Sequence, residues 1–526
     1  MRLLEARNLI HYIKDRKLIE IESLAVHKGN RIGLVGKNGS GKTTLLQILA
    51  KETVPETGKI ITHGTIQLVP QLKRMITTKS GGEVTQEYIN RALANQADIL
   101  LADEPTTNLD TWHIEKLETQ LKKWKGALII VSHDREFLDA LCTTIWELED
   151  GYVTEYKGNY SHYQEQKNMQ LNQQQQAYEN YIAKKTQLEQ ALQLKEQKAQ
   201  RATKKPKQTS SSEAKITGAR PYFANKQKKL RKAAKAIETR LEKLEQVEKV
   251  KETPPVKMNL PYADKLHGRT LLRVEDLKGV ISQRLLWNPV SFHVKGGDKI
   301  AIIGPNGSGK TTLIKNLMQE NDQVRHAPAM KVGYFSQNLD ILETNKTILE
   351  NVSNTSSQNE TLIRTVLARL HFHRDDVYKH VNVLSGGERV KVAFAKLFVS
   401  DINTLILDEP TNFLDIEAVE ALEELLVNYE GTVLFVSHDR RFIKTIANRL
   451  IAFGGNKKIT VFEGSYDAYK NDFSKPQEDM IEQQLIVVET KLTEVLSKLS
   501  IEPSDKLEEE FQELLKQKRN LKMQRE

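Results

Sequence analysis

The chain has 526 residues, 39% of them hydrophobic, a formal net charge of +9 and a single cysteine, Cys142. Such a length calls for more than two domains, and one cysteine excludes a disulfide framework or a cysteine-based zinc site, in keeping with a reducing cytoplasm. The longest apolar runs, such as Ala127-Leu128-Ile129-Ile130-Val131, have the length of buried strands, well short of the roughly 18 residues of a spanning helix, and Met1 to Arg7 lack a secretory apolar core, so a soluble protein is expected.

In chain order, the first informative segment is Gly36-Lys37-Asn38-Gly39-Ser40-Gly41-Lys42-Thr43-Thr44. Its glycines let successive backbone N–H groups curl around phosphates at a helix N-terminus; Lys42 would reach the β- and γ-phosphates and Thr43 a Mg²⁺ ion. A lone glutamine, Gln71, follows a short apolar run, and Ser80-Gly81-Gly82-Glu83 comes soon after. The buried-strand run Ile99 to Ala102 ends in Asp103-Glu104, then come Leu109-Asp110 and a further apolar strand delivering His133 in Val131-Ser132-His133-Asp134. Phosphoryl transfer is mostly positioning and charge neutralisation, so these types fit a site: Asp103 as the metal-side carboxylate, Glu104 as general base, His133 at the γ-phosphate.

After Tyr156-Lys157-Gly158-Asn159-Tyr160-Ser161-His162-Tyr163 the pattern changes. From about Tyr163 to Gln200 the chain is rich in Gln, Lys, Glu and Ala without Gly or Pro, which predicts a helix of roughly 50–60 Å. A breaker-rich stretch from Ala202 to Pro221 predicts a loop at its far end. Leu230, Ala234, Ile237, Leu241 and Leu244 then recur at the four-three spacing of an antiparallel coiled-coil seam. Residues 183–250 hold 19 Lys and Arg against 7 Asp and Glu, more than the net charge of the whole chain. They include Lys184, Lys185, Lys228, Lys229, Arg231 and Lys232, the electrostatic footprint of a protein that meets a polyanion.

The remainder repeats the first half. Gly304-Pro305-Asn306-Gly307-Ser308-Gly309-Lys310-Thr311-Thr312 is a second phosphate loop, followed by Gln337, Ser385-Gly386-Gly387-Glu388, Asp408-Glu409, Leu414-Asp415 and His438. Asp408 and Thr311 are the expected Mg²⁺ side, Glu409 the base and His438 the γ-phosphate contact. Gln71 and Ser80 are 9 residues apart whereas Gln337 and Ser385 are 48 apart, so the halves differ at this interval. The tail after Pro476 shows two helical patterns split by Ile501-Glu502-Pro503-Ser504, predicting a helical hairpin.

The set and order of motifs resemble the ATP-binding-cassette ATPases. The resemblance implies an α/β fold: two P-loop NTPase cassettes in tandem, joined by an antiparallel α-helical coiled-coil linker and followed by a C-terminal helical hairpin. The expected boundaries are 1–162, 163–262 with a tip near 203–223, 263–472 and 473–526. It also implies that the long interval holds a helical subdomain, almost absent from the first half, and that each signature completes the other cassette's site. One ATP would then lie between Lys42 and Ser385-Gly386-Gly387, the other between Lys310 and Ser80-Gly81-Gly82, with Gln71 and Gln337 lining the sites.

Two cassettes, no membrane segment and a basic linker resemble the ABC-F proteins, which act on ribosomes. Lys195 to Lys207, Pro221-Tyr222-Phe223-Ala224, Asn359 to Arg364 and the shortened interval are similar to the Vga-type antibiotic-resistance group. That resemblance implies a cytoplasmic monomer whose cassettes pair within the chain, which binds the ribosome (rRNA and P-site tRNA) and relieves inhibition by lincosamides, streptogramin A and pleuromutilins. A housekeeping ABC-F translation factor and a cytosolic ATPase subunit of a drug exporter remain alternatives. One departure is that the aromatic on which many cassettes stack adenine has as its nearest equivalents Tyr12 or Ile13 and Ile281, which leaves the choice between ATP and GTP open.

Overall fold

The computed structural model describes residues 1–70, 97–107, 109–201, 219–244, 267–281, 284–336, 341–356, 358–372, 374–412 and 414–472, with isolated positions elsewhere. Gln71, Ser80, Gly81, Gly82, Gln337, residues 202–218 of the expected linker loop and most of the tail lie outside the described residues. From Ala219 the chain is already helical, so the expected loop and tip end earlier than Pro221 and Phe223, Pro221 falling in the first turn where its missing N–H costs no intrahelical bond. The chain divides into two compact units, Met1–Asn159 with Pro255–Glu526, and Tyr160–Pro254.

The first unit opens with β1 (Arg2–Ile13), β2 (Arg16–His27), β3 (Arg31–Val35), α1 (Lys42–Leu49), β4 (Thr57–Thr62) and β5 (Ile66–Val69). There follow β6 (Ile99–Asp103), α2 (Thr111–Lys123), β7 (Ala127–Val131), α3 (Arg135–Leu141), β8 (Thr144–Glu149) and β9 (Tyr152–Lys157). The strands form a six-stranded sheet of order β5-β6-β7-β3-β8-β9 and an antiparallel sheet β2-β1-β4. The runs Ile99–Asp103 and Ala127–Val131 are buried throughout because parallel strands covered on both faces have no wet side. β1 and β2 mix buried and exposed positions, as expected of a sheet with one solvated face. One core joins the inner face of the small sheet, through Leu4, Leu9, Ile19 and Val26, to Leu45, Leu46 and Leu49 of α1 and to Ile129 and Trp146 of the large sheet.

The second unit contains α4 (Tyr160–Arg201) and α5 (Ala219–Glu242), which pack on each other. α4 begins three residues before the expected start, separated only by Asn159 from Gly158, whose φ of 116° is a left-handed turn that follows the end of β9. Leu230, Ala234, Ile237 and Leu241 are each less exposed than the residues flanking them, Ala234 is buried, and Leu244, half-buried, lies two residues beyond the helix. On α4 the matching stripe runs through Gln175, Tyr178, Tyr181, Lys185, Leu188, Leu192, Lys195 and Ala199 at three- and four-residue steps.

The second cassette belongs to the first unit and repeats its plan with β10 (Thr270–Ile281), β11 (Arg284–Lys295), β12 (Lys299–Ile303), α6 (Lys310–Met318), β13 (Val324–His326) and β14 (Val332–Phe335). Next come α7 (Ile348–Ser353), α8 (Glu360–Arg369), α9 (Gly386–Val399), β15 (Thr404–Asp408), α10 (Ile416–Val427), β16 (Thr432–Val436), α11 (Arg440–Ile446), β17 (Arg449–Phe453) and β18 (Ile459–Glu463). The six-stranded sheet has the order β14-β15-β16-β12-β17-β18, the same topology as the first. The long interval is indeed helical: Ile348, Val352, Ile363, Val366 and Leu367 pack with Val390 and Phe394 of α9. In the tail, Val488, Leu492, Val495 and Leu514 are buried together, with Phe511 and Leu515 against them.

Candidate active site

Each phosphate loop leaves the C-terminal end of a central strand, β3 or β12, and enters a helix, α1 or α6, at the topological switch point where open α/β sheets bind ligands. The backbone requires glycine at specific places. Gly36 and Gly304 sit at φ 151° and 148°, and an added Cβ would lie 2.5 Å from the Leu148 carbonyl oxygen or 2.6 Å from Phe453 Cβ. Gly41 and Gly309, at φ 106° and 104°, place the start of each helix against Leu18 and Trp287. The remaining loop residues, Lys37, Asn38, Gly39 and Ser40 with Pro305, Asn306, Gly307 and Ser308, form the turn itself, and Thr43, Thr44 and Thr311, Thr312 begin the helices.

The two lysines are buried and curl over their own loops. Lys42 Nζ donates to the carbonyls of Gly36 at 2.7 Å and Lys37 at 2.9 Å; Lys310 Nζ donates to those of Gly304 at 2.9 Å and Pro305 at 3.0 Å. Burial lowers the pKa of both ammonium groups, opposed by the neighbouring carboxylates Glu104 and Glu409. The hydroxyls of Ser40 and Ser308 and Asp103 Oδ2 are buried without a hydrogen-bond partner among the described residues. Thr311 Oγ1 donates to Asp408 Oδ1 at 3.3 Å, and Thr43 bonds Asp103 in the same way. Hydroxyl and carboxylate oxygens set beside a cationic, N–H-rich loop are the hard donors a Mg²⁺–triphosphate requires. The residues fit that group, whose chemical contribution is neutralisation of phosphate charge.

Behind the loops lie the acid–base residues. Glu104 and Glu409 follow the last residues of β6 and β15 with φ 51° and 53°, a left-handed conformation that non-glycine residues adopt at a cost of order 1–3 kcal/mol. Their N–H groups donate to the carbonyls of Val131 and Val436 at 2.9 and 3.0 Å, which holds the turn. Burial pushes Glu104 up to about 8, with Asp103 adding to the rise and Lys42 opposing it. Glu409 is raised to about 7, again chiefly by burial. A carboxyl tuned close to neutrality is a better proton acceptor than an ordinary glutamate. His133 Nε2 lies 3.3 Å from Glu104 Oε1, and His438 Nε2 lies 3.2 Å from Glu409 Oε1. Burial lowers the histidines to about 4 and about 3, with Lys42 and Lys310 contributing, so both rings are neutral at pH 7.

These shifts carry a stability prediction. The ordinary glutamate value is 4.5, so from there to about 8 the folded chain holds protons that the unfolded chain has released. Stability without nucleotide therefore falls as pH rises through this window. The E104Q/E409Q double variant is expected to unfold at a higher temperature than the unaltered chain at pH 8, with a smaller difference at pH 5. Thermal unfolding by circular dichroism checks this, and an equal difference at both pH values would remove the assignment.

The structure also brings the cassettes together at these sites. Asp415, the N-cap of α10, accepts Ala418 N–H on Oδ1 and, on Oδ2, the Asn38 N–H of the first phosphate loop at 3.1 Å. Asp110, the N-cap of α2, accepts Asn306 N–H of the second loop at 2.9 Å. The Leu-Asp motifs carried no role in the sequence reading beyond their place in the order, although their doubling was visible. Ser385 caps α9 in a reciprocal capping box with Glu388, and Gly386 and Gly387 form its first turn. Tyr12, Ile13 and Ile281 are 43%, 49% and 48% exposed at the ends of their strands. Among the described residues, no helix is long and apolar enough to cross a membrane.

A family model described as ABC transporter matches residues 20–71 and 287–412. The chain is 32% identical over 549 residues to "Ribosome protection protein VmlR" of Bacillus subtilis (strain 168), covering 98% of this chain and 97% of that protein. It is 35% identical over 474 residues to "Erythromycin resistance ATP-binding protein MsrA" of Staphylococcus epidermidis, covering 84% and 95%. Among solved structures, "RNase-L Inhibitor" shares the fold with a TM-score of 0.59 at 19% identity, covering 90% of this chain and 93% of that one.

Proposed function

This chain belongs to the ABC-F family of ATPases and hydrolyses ATP, and on that basis we propose that it binds the ribosome and protects it from antibiotics. The observation that carries the reading is the end-to-end similarity to a protein named for ribosome protection. ATP would be held between the paired cassettes, by the phosphate loop of one and the signature of the other, Ser385-Gly386-Gly387 or Ser80-Gly81-Gly82, with Gln71 and Gln337 as further lining. Binding closes the pair on the ribosome; hydrolysis, with Glu104 and Glu409 taking the proton of the attacking water, releases it. Neutral His133 and His438 each offer a ring N–H to the γ-phosphate and lose that partner when it leaves.

The basic helices α4 and α5 are the surface we assign to rRNA. Phosphate contacts give affinity without sequence preference, as a factor that meets every ribosome needs. The tip near 203–223 is then the segment that acts at the drug-binding region, beside P-site tRNA. The drug classes proposed are lincosamides, streptogramin A and pleuromutilins, and the setting is the cytoplasm, with the chain acting as a monomer.

Expression in a drug-sensitive Gram-positive host is expected to raise the minimum inhibitory concentration of at least one of these classes; erythromycin is assayed alongside. Removing several residues around Ser210-Ser211-Ser212 should abolish protection, while pelleting with ribosomes and ATP turnover persist. If the intact chain protects against none of the drugs, the resistance reading fails and a general translation-factor role replaces it.

A further inference from the structure

Two arginines outside the nucleotide sites tie the cassettes together in mirrored fashion. Arg135 opens α3 two residues after His133 and is 1% exposed. Its guanidinium donates to both carboxylate oxygens of Glu423 on α10, lies 3.5 Å from Glu420 and approaches Asp439 at 3.9 Å. Arg440 opens α11 two residues after His438. It donates to Glu118 on α2 and lies 3.6 Å from Asp134 and 3.3 Å from Glu136. Each arginine therefore reaches the opposite cassette, and each also faces the aspartate that directly follows the other cassette's histidine.

Helices α2 and α10 extend this symmetry to the phosphate loops. Asp110 at the start of α2 receives Asn306 N–H, and Glu118, eight residues later, receives Arg440. Asp415 at the start of α10 receives Asn38 N–H, and Glu423, also eight residues later, receives Arg135. Eight residues of helix are about 12 Å of rigid rod. Each rod is fastened at one end to the other cassette's phosphate loop and at the other to the segment behind its histidine. Both attachments belong to one nucleotide site, and the arginine carries the shift to the other. Arg135, held by Glu423 of α10, also faces Asp439 beside His438, and Arg440, held by Glu118 of α2, also faces Asp134 beside His133. A movement of one phosphate loop therefore passes through a helix that moves as a body to the histidine segment of the opposite site.

Energetics argue that this cluster is more than glue. Four charges are costly to bury, and a pair of apolar residues of similar volume would often hold such an interface as well or better. Charged, hydrogen-bonded groups add a defined register instead, since only one relative placement of the cassettes satisfies both guanidinium groups.

We propose that the crossed Arg135–Glu423 and Arg440–Glu118 pairs are positioning groups that couple the two nucleotide sites, so that ATP in one site sets the placement of the histidine segment in the other. The proposal rests on ATP hydrolysis at both sites and is independent of what the protein protects. Its first test leaves the cluster untouched: E104Q and E409Q are made singly, and steady-state ATP turnover is measured. Coupling predicts that blocking one site lowers turnover on the order of fivefold or more below the half expected of independent sites. In the second arm R135M/E423L and R440M/E118L are combined, removing both members of each pair so that no buried charge is orphaned. Each singly blocked site should then leave about half of that variant's turnover. The conservative R135K/R440K variant keeps a cation among Glu423, Glu420 and Asp439 and among Glu118, Asp134 and Glu136, and should keep the coupling that R135M/E423L with R440M/E118L removes. Half turnover in either singly blocked chain with the cluster intact, or coupling that survives removal of both pairs, overturns the proposal.

Discussion

The E104Q/E409Q variant is expected to hydrolyse ATP at least about 10²-fold more slowly than the unaltered chain while still binding it, since general-base action typically contributes that much. Both carboxyls are buried within hydrogen-bonding reach of a histidine, on a backbone held in a left-handed turn. The amide keeps the shape and removes the proton acceptor, and it also relieves the repulsion between Glu104 and Asp103 that helps to raise the acid's pKa. Binding should therefore survive, and the closed, ATP-loaded pair should accumulate. Release of phosphate over time measures hydrolysis, and retention of a labelled nucleotide measures binding. If the protein is the ribosome-acting factor proposed above, the same variant sediments with ribosomes in a sucrose gradient and arrests translation. Normal turnover would falsify the assignment of both glutamates.

A second large effect is expected from the basic helices. Lys184, Lys228, Lys229, Arg231 and Lys232 are exposed, and Lys185 is half-buried. Each phosphate contact releases a condensed counterion, so contacts made by six cations give a log–log salt slope of about −4 to −5 and a loss on the order of 10³ in affinity between 50 and 200 mM salt. Reversing all six to glutamate should reduce the steepness of the slope by about 4 to 5 and weaken binding at low salt on the order of 10³-fold. ATP turnover without ribosomes should stay within about twofold, because these residues make no contribution to the cassette sites. Binding measured by pelleting across a salt series decides it: an unchanged slope would mean that the charge is a solvated helix face and that affinity comes from elsewhere.

Much of the architecture was legible because the chain states it twice. Gly36 to Thr44 and Gly304 to Thr312 specify backbone conformations and an anion site that few other sequences can form, and the all-apolar runs ending in Asp103-Glu104 and Asp408-Glu409 read as buried strands in both halves. The four-three stripe on α5 was equally open to reading, since a period of 3.5 fixes which face meets a neighbour. In these segments function and fold depend on residues close in sequence, so local pattern suffices.

What only the tertiary structure decided lies between segments far apart in the chain. In the sequence Asp110 and Asp415 have only a place in the motif order; the structure makes each a helix N-cap that accepts an N–H three residues on. Their second oxygens, turned to Asn306 and Asn38, acquire meaning only when two cassettes meet. Arg135, Glu423, Arg440 and Glu118 carry no short-range signature either, since a charged residue on a helix is most often a solvated one, and nothing in the sequence says which become buried. Their doubled spacing, arginine two residues after each histidine and glutamate eight after each capping aspartate, was present but mute. Burial, the shifted carboxyls and the crossed contacts all arise from the packing of one half of the chain on the other, a property of pairs of residues hundreds of positions apart that no local pattern encodes.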